Sequence, residues 1–147
     1  MSKRIVIEKL QPEAYQAMFA FERYLSRTQI DPLLKELIKI RASQINGCAY
    51  CINIHTKEAR KKGESEQRIY ALSAWRETPF FTDTERAVLA LTEEITHISV
   101  KGVTDETYNN ALDLLGEERL AQVIMAIITI NAWTRIGVST HMTPALD

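Results

Sequence analysis

The sequence lacks an excess of charge of either sign. Its 147 residues include 18 Lys plus Arg and 19 Asp plus Glu, so the formal net charge is -1. A general nucleic-acid binder carries a basic surplus, and the composition gives no support for that class of protein. Electrostatic steering of an acidic substrate is equally unsupported.

Segments that would take the chain to a membrane are missing as well. The N-terminus, MSKRIVIEKLQPEAY, has no apolar stretch or cleavage site of the signal-peptide type. The most apolar run, residues 120–133, is shorter than the roughly 20 residues that cross a bilayer, and it contains Gln122 and Asn131. We therefore expect a cytoplasmic protein in which this run forms a core or interface helix.

Strand-like alternation, repeats, low-complexity tracts and linkers are also absent. Apolar residues recur at helical spacing along almost the whole chain, and the 5 Gly and 4 Pro stand mostly between the periodic segments. Start and stop signals predict helices at about residues 12–27, 31–45, 49–62, 65–75, 82–98, 104–115 and 117–135. The sequence predicts a single domain over residues 1–147, folded as a compact all-α bundle.

What is present is concentrated in one stretch, NGCAYCINIHTKEARKKG, at residues 46–63. It holds the only 2 cysteines of the chain, Cys48 and Cys51, followed by His55. At about 100° per residue the three side chains share one face of the predicted helix. Unsatisfied N–H groups and the dipole at a helix N-terminus favour a thiolate, which is the attacking form of cysteine. Cys48, whose sulfur is the N-terminal one and is expected to be the more exposed, is therefore the nucleophile that the helix N-terminus favours.

Three interpretations of this stretch follow from the residues. In the first, a peroxide oxidises one sulfur to sulfenic acid, the other resolves it as an intramolecular disulfide, and His55 moves a proton. In the second, Cys48, Cys51 and His55 bind zinc, although a closed site needs a fourth ligand that no second CxxC supplies. In the third, both cysteines are buried core residues.

The order Glu36, Cys48, Cys51, His55, in which eleven residues separate a glutamate from a CxxCxxxH, resembles the AhpD-like alkylhydroperoxidases of the carboxymuconolactone decarboxylase superfamily. The likeness extends over most of the chain, down to the INAW of the last predicted helix. It implies an all-helical homotrimer or homohexamer. It also implies an antioxidant peroxidase that reduces hydroperoxides or passes electrons to a peroxiredoxin, with a dithiol or protein donor and no metal or organic cofactor.

The resemblance also implies roles for four side chains. Cys51 would pass through sulfenic acid, Cys48 would donate a proton and resolve it, and Glu36 with His55 would form a proton relay. Tyr50 stands where the best-known members have a histidine between the cysteines. This difference predicts weaker peroxidase activity, with dithiol exchange as the main task.

Two side chains of the second predicted helix each have two interpretations. Glu36 lies at the edge of the apolar arc, where a glutamate is either solvated or faces the next helix and orients His55. Arg41 points into the middle of that arc, so either its stem packs there with the charged head at the edge, or it pairs with a carboxylate across the bundle.

Other functions remain as alternatives. Lactone decarboxylases of the same superfamily lack the CxxC, so the cysteine pair argues against that activity. A non-redox helical oligomer that acts as a binding module, with or without zinc at Cys48, Cys51 and His55, is the alternative from a different class. Several predicted helices, above all the last, are apolar around most of their circumference, which favours an oligomer independently of the resemblance.

Overall fold

The computed structural model describes residues 4–146, and over that range the chain is helical with no strand. The predicted all-α fold class is confirmed. In chain order the helices are α1 (Ile7–Leu10), α2 (Pro12–Ser26), α3 (Pro32–Asn46), α4 (Ala49–Lys61), α5 (Glu66–Ala71) with a 3-10 helix (Leu72–Glu77), α6 (Asp83–Thr96), α7 (Ile98–Lys101), α8 (Asp105–Leu115) and α9 (Glu117–Ser139).

Local signals account for where these helices begin. The carboxylate of Asp31 accepts hydrogen bonds from the backbone N–H groups of Leu33 and Leu34 at the start of α3. Thr82 and Glu85 form a capping box at the start of α6. Each such cap satisfies backbone donors that have no partner inside the helix and contributes about 1 kcal/mol. The predicted starts therefore agree with the structure to within one residue.

The observed ends of the helices differ more from the predicted ends than the starts do. The predicted helix over residues 65–75 is divided into α5 and the 3-10 helix, in which Ala74 has non-helical backbone angles. Helix α9 continues to Ser139, beyond the predicted end at about residue 135, because no Pro or left-handed residue interrupts it. The short helices α1 and α7 were not predicted, since four residues are too few to show a period.

Helix α9 has 23 residues and is long and apolar enough to cross a membrane by length and composition alone. It is longer than the most apolar run of the sequence, residues 120–133. Its packing explains this composition. Val123, Ala126, Ile127 and Ile130 of α9 are fully buried in the core that α9 shares with α2, α3, α6 and α8. The prediction that this run forms a core helix is confirmed.

Helix α3 lies at the centre of the fold and separates two apolar clusters. Leu34 and Ile38 face the α9 cluster, whereas Leu37 and Ile40 pack with residues of α4, α5, the 3-10 helix and α6. Burying a Leu or Ile side chain stabilises the fold by roughly 1.5–3 kcal/mol. This packing fixes α3 against both α4 and α9, the two helices that complete the site described below.

The charged side chain inside the apolar arc of α3 has a partner across the bundle. Arg41 donates from Nε to Oε1 of Glu93 on α6 at 2.9 Å, and Trp75 donates to the same oxygen at 2.9 Å. Arg76 donates to Oε2 at 2.5 Å. Burial opposes the charge of Glu93, but the hydrogen bonds from Arg76, Trp75 and Arg41 lower its pKa. Of the two interpretations of Arg41, the structure selects the ion pair.

Candidate active site

The two cysteines form a disulfide across the first turn of α4. Cys48 is the N-cap residue, and its Sγ accepts the backbone N–H of Cys51 at 3.3 Å. Both residues are buried, Cys48 at 2% exposure and Cys51 at 6%. Cys48 is therefore the less exposed of the two, contrary to the expectation from its N-terminal position, because α9 packs over it.

Glu36 on α3 faces His55 on α4. The Nδ1 atom of His55 lies 3.0 Å from Oε2 of Glu36. Since a carboxylate only accepts, Nδ1 carries the proton in this contact, and Nε2 remains for proton exchange. Glu36 is only 3% exposed, so the alternative of a solvated surface glutamate is wrong.

A further charged residue, Lys62, completes this arrangement. Its ammonium group donates to Oε1 of Glu36, so both carboxylate oxygens are occupied. Lys62 follows directly after α4 and stands seven residues, or two helical turns, after His55. That spacing is compatible with the face of His55, yet Lys62 is not among the residues predicted from the sequence, which are Glu36, Cys48, Cys51 and His55. Arg60, Lys61 and Lys62 are consecutive basic residues, and the backbone geometry at the end of α4 decides which of them reaches α3.

The surroundings keep Glu36 ionised. Burial alone would raise its pKa, but the hydrogen bonds from His55 and Lys62 outweigh burial and hold the pKa at about 2. Glu36 is thus an anion throughout the physiological range and is not a donor of its own proton. It orients the imidazole of His55 through the contact with Nδ1.

The donor atoms do not form a metal site of the kind considered above. The sulfurs of Cys48 and Cys51 are joined to each other, and Nδ1 of His55 faces Glu36. Among residues 4–146, no group of three or more His, Cys, Asp and Glu side chains is placed to hold a metal ion.

Buried polar side chains hold the segment before Cys48 against α9. Asn46, the last residue of α3, donates from Nδ2 to Oδ1 of Asn131 at 3.0 Å and to Oγ1 of Thr134 at 2.9 Å. Asn131 in turn donates to Thr96 of α6 at 3.0 Å. Asn131 and Thr134 are buried, so breaking the contacts with Asn46 removes a hydrogen-bond partner from each of them. The position of the disulfide relative to α9 is therefore well defined.

These features define a class of protein: an all-helical domain with a CxxC disulfide at a helix N-terminus and a buried carboxylate and histidine beside it. Residues 12–94 match the carboxymuconolactone decarboxylase family. The chain belongs to this family and to its AhpD-like members.

Three similar proteins illustrate the relationship. YdfG of Bacillus subtilis, an uncharacterised protein, is 44% identical over 139 residues, which cover 95% of each chain. A protein of unknown function from Agrobacterium tumefaciens, for which a role as the antioxidant defence protein AhpD has been suggested, is 37% identical with a TM-score of 0.95, covering 99% of this chain and 100% of the other. The debrominase Bmp8 shares the fold, with a TM-score of 0.83 at 18% identity over 93% of this chain and 74% of the other.

The low pKa of Glu36 predicts acid sensitivity that a Glu36→Gln variant lacks. Below its ordinary pKa of 4.5 the unfolded chain binds a proton at Glu36, whereas the folded chain does not until about pH 2. Stability is therefore lost as the pH falls through this window, by up to about 3 kcal/mol in the free energy of unfolding. Urea unfolding at several pH values between about 5.5 and 3 measures this loss.

The control is Glu13→Gln on the exposed part of α2. It should retain the pH dependence of the wild-type protein, whereas Glu36→Gln should unfold with a flatter one, whatever its absolute stability. Equal slopes for Glu36→Gln and wild type would contradict the description of Glu36 as a strongly stabilised buried anion.

Proposed function

We propose that the protein is a thiol-disulfide oxidoreductase that reduces organic hydroperoxides through Cys48 and Cys51. The observation that supports this most directly is a buried CxxC disulfide whose helix also carries His55, held by the ionised Glu36. Membership of a family with AhpD-like enzymes supports the same class of chemistry. We place the protein in the cytoplasm, where a dithiol pool returns such a disulfide to the reduced form.

The oxidative half of the cycle converts a hydroperoxide into an alcohol and water. The thiolate of Cys51 attacks the terminal oxygen of the hydroperoxide, so that an S–O bond forms, the O–O bond breaks and the alkoxide takes a proton to leave as alcohol. The thiol of Cys48 then attacks the sulfenic sulfur, the S–S bond forms and water leaves. The two cysteines together supply the two electrons.

The reductive half needs a two-electron donor. A small dithiol or a protein dithiol attacks the disulfide, passes through a mixed disulfide and leaves oxidised. The reduced Cys48/Cys51 pair then reduces a hydroperoxide or passes its two electrons to an oxidised peroxiredoxin partner. Tyr50 replaces the histidine that the best-known family members have between the cysteines. This difference favours a second form of the proposal, in which the pair exchanges with dithiols and does not reduce peroxides directly.

The burial of the two sulfurs supports Cys51 as the attacking residue. Cys51 is the more exposed of the pair, and it lies one helical turn before His55. Cys48 is covered by α9 and accepts the N–H of Cys51, which suits a resolving thiol. His55 is the proposed proton carrier, Glu36 its orienting partner, and Lys62 a positioning residue that holds the carboxylate.

The first test is the intact mass of the reduced protein after brief exposure to an organic hydroperoxide. We expect a loss of two hydrogens, reversed by a dithiol, and no such loss in Cys51→Ser. Cys48→Ser should instead gain one oxygen as the unresolved sulfenic acid. An unchanged wild-type mass, with thiols unreactive and metal retained after mild chelation, would refute the redox proposal in favour of the zinc or binding-module alternative.

Glu36→Gln should slow thiol oxidation. The neutral amide no longer favours charge on the His55 ring, so we expect the rate to fall about tenfold or more, within the range of general acid–base effects. Stopped-flow measurement of thiol loss, with circular dichroism to confirm folding, gives the comparison. Glu58→Gln, on the exposed side of α4, is the control and should react like wild type. An unchanged rate in Glu36→Gln would limit Glu36 to a structural role.

We also propose that the protein assembles as a homotrimer or homohexamer through α2 and α9. Large apolar side chains remain exposed there: Phe19 at 45%, Tyr24 at 43% and Ile128 at 43%. Tyr24 also lines a groove of about 340 Å³ between α2 and α9, together with Phe21 and Met125. Contiguous exposed apolar surface of this kind is typical of protein interfaces.

Light scattering at micromolar concentration tests this assembly. The wild-type protein should have the mass of three or six chains, and Ile128→Glu should dissociate it because a charge would be buried in the interface. Val100→Glu, at a position 76% exposed on α7, is the matched control and should leave the assembly intact. A monomeric wild-type protein would refute the proposal.

A further inference from the structure

One of the five glycines is placed differently from the rest. The other four have positive φ angles, and no heavy atom described in the structure lies within 4 Å of where their Cβ would be; they are Gly47, Gly63, Gly102 and Gly116. Gly137 instead lies inside α9, without positive φ. Alanine would fit that backbone and strengthen the helix, so the conformation does not explain the glycine.

The space around Gly137 does explain it. A Cβ at this position would lie 2.9 Å from Sγ of Cys48 and 3.6 Å from Sγ of Cys51. The first distance is well inside the 3.5–4.0 Å at which non-bonded heavy atoms normally pack. The backbone of α9 therefore covers the disulfide directly, and any side chain at residue 137 would compete with a sulfur atom for the same space.

Helix α9 cannot readily withdraw from this contact. Asn46, two residues before Cys48, is hydrogen-bonded to Thr134 and Asn131, which lie about one and two turns before Gly137. The carbonyl of Gly137 also accepts the N–H of Met142 at 2.9 Å, which ties the helix end to the segment after it. These contacts hold the helix and the disulfide at one separation.

A side chain at residue 137 would affect the disulfide and dithiol forms of Cys48 differently. In the disulfide, Sγ of Cys48 is bonded to its own Cβ and to Sγ of Cys51, so it cannot rotate away. In the dithiol, Cys48 is free to change its χ1 rotamer. Crowding from residue 137 therefore raises the free energy of the oxidised form more than that of the reduced form.

We propose that Gly137 is a positioning residue that leaves room for the disulfide and thereby sets the redox equilibrium of the Cys48/Cys51 pair. This rests on the proposed function only in requiring that the pair cycles between disulfide and dithiol. The balanced reaction is exchange with an external dithiol: the protein disulfide gains two electrons and two protons, and the external dithiol becomes a disulfide.

The test is the redox equilibrium of Gly137→Ala in dithiothreitol buffers of graded reduced-to-oxidised ratio, read by thiol alkylation and mass. We expect a shift of the equilibrium constant toward the dithiol by about tenfold, which corresponds to a potential about 30 mV less negative. Val138→Ala, the neighbouring residue at 43% exposure, is the control and should match wild type. A midpoint unchanged in Gly137→Ala, or shifted equally in Val138→Ala, would overturn the proposal.

Thermal unfolding in two backgrounds separates contact with the sulfur from general packing. In the oxidised protein Gly137→Ala should lower Tm. In Cys48→Ala, which lacks the Sγ atom, the same substitution should raise Tm through its helix preference. If Gly137→Ala lowers Tm equally in both backgrounds, or prevents folding in both, Gly137 is only a packing residue and the proposal fails.

The failure of this inference differs from a failure of the proposed function. The equilibrium uses no hydroperoxide, so a protein that exchanges with dithiothreitol but does not reduce peroxides would refute the peroxidase alone. A pair that never forms a disulfide in these buffers would refute both.

Discussion

A buried negative charge organises this site. Glu36 is removed from water on α3, and an ionised carboxylate in that position needs cationic or hydrogen-bonding partners. Both partners come from α4: His55 near its middle and Lys62 just after its end. Because the two contacts lie two turns apart along α4, they fix both the rotation and the lateral position of that helix against α3. The cysteines at the N-terminus of α4 are oriented by the same contacts.

The third helix of the site, α9, contributes through its backbone and its polar side chains. Its backbone passes close to Cys48 at Gly137, and Asn131 and Thr134 hold Asn46. The disulfide is thus enclosed between the first turn of α4 and the glycine of α9. Both cysteines are buried by this enclosure, Cys48 slightly more than Cys51. An asymmetric pair of this kind suits two successive chemical roles better than two equivalent thiols would.

The fold alone does not decide the reaction. A debrominase shares this architecture at 18% identity, and the 44% identical YdfG is itself uncharacterised. Function therefore has to be argued from the residues of the site, as for any fold that carries several chemistries. Here those residues are two sulfurs that already form a disulfide and an imidazole oriented by a carboxylate, which together suit thiol oxidation with proton transfer.

The sequence by itself determined where the longer helices begin and that Cys48, Cys51 and His55 share one helix face, because helix periodicity and start signals depend on residues a few positions apart. Glu36 was placed only at an edge, with two interpretations open. The tertiary structure decided that Glu36 is buried, that Arg41 pairs with Glu93, that Lys62 joins the carboxylate, and that Gly137 meets the disulfide. These contacts join residues that are distant in the chain. They depend on the separation and rotation of two packed helices, which cannot be read from a local sequence pattern.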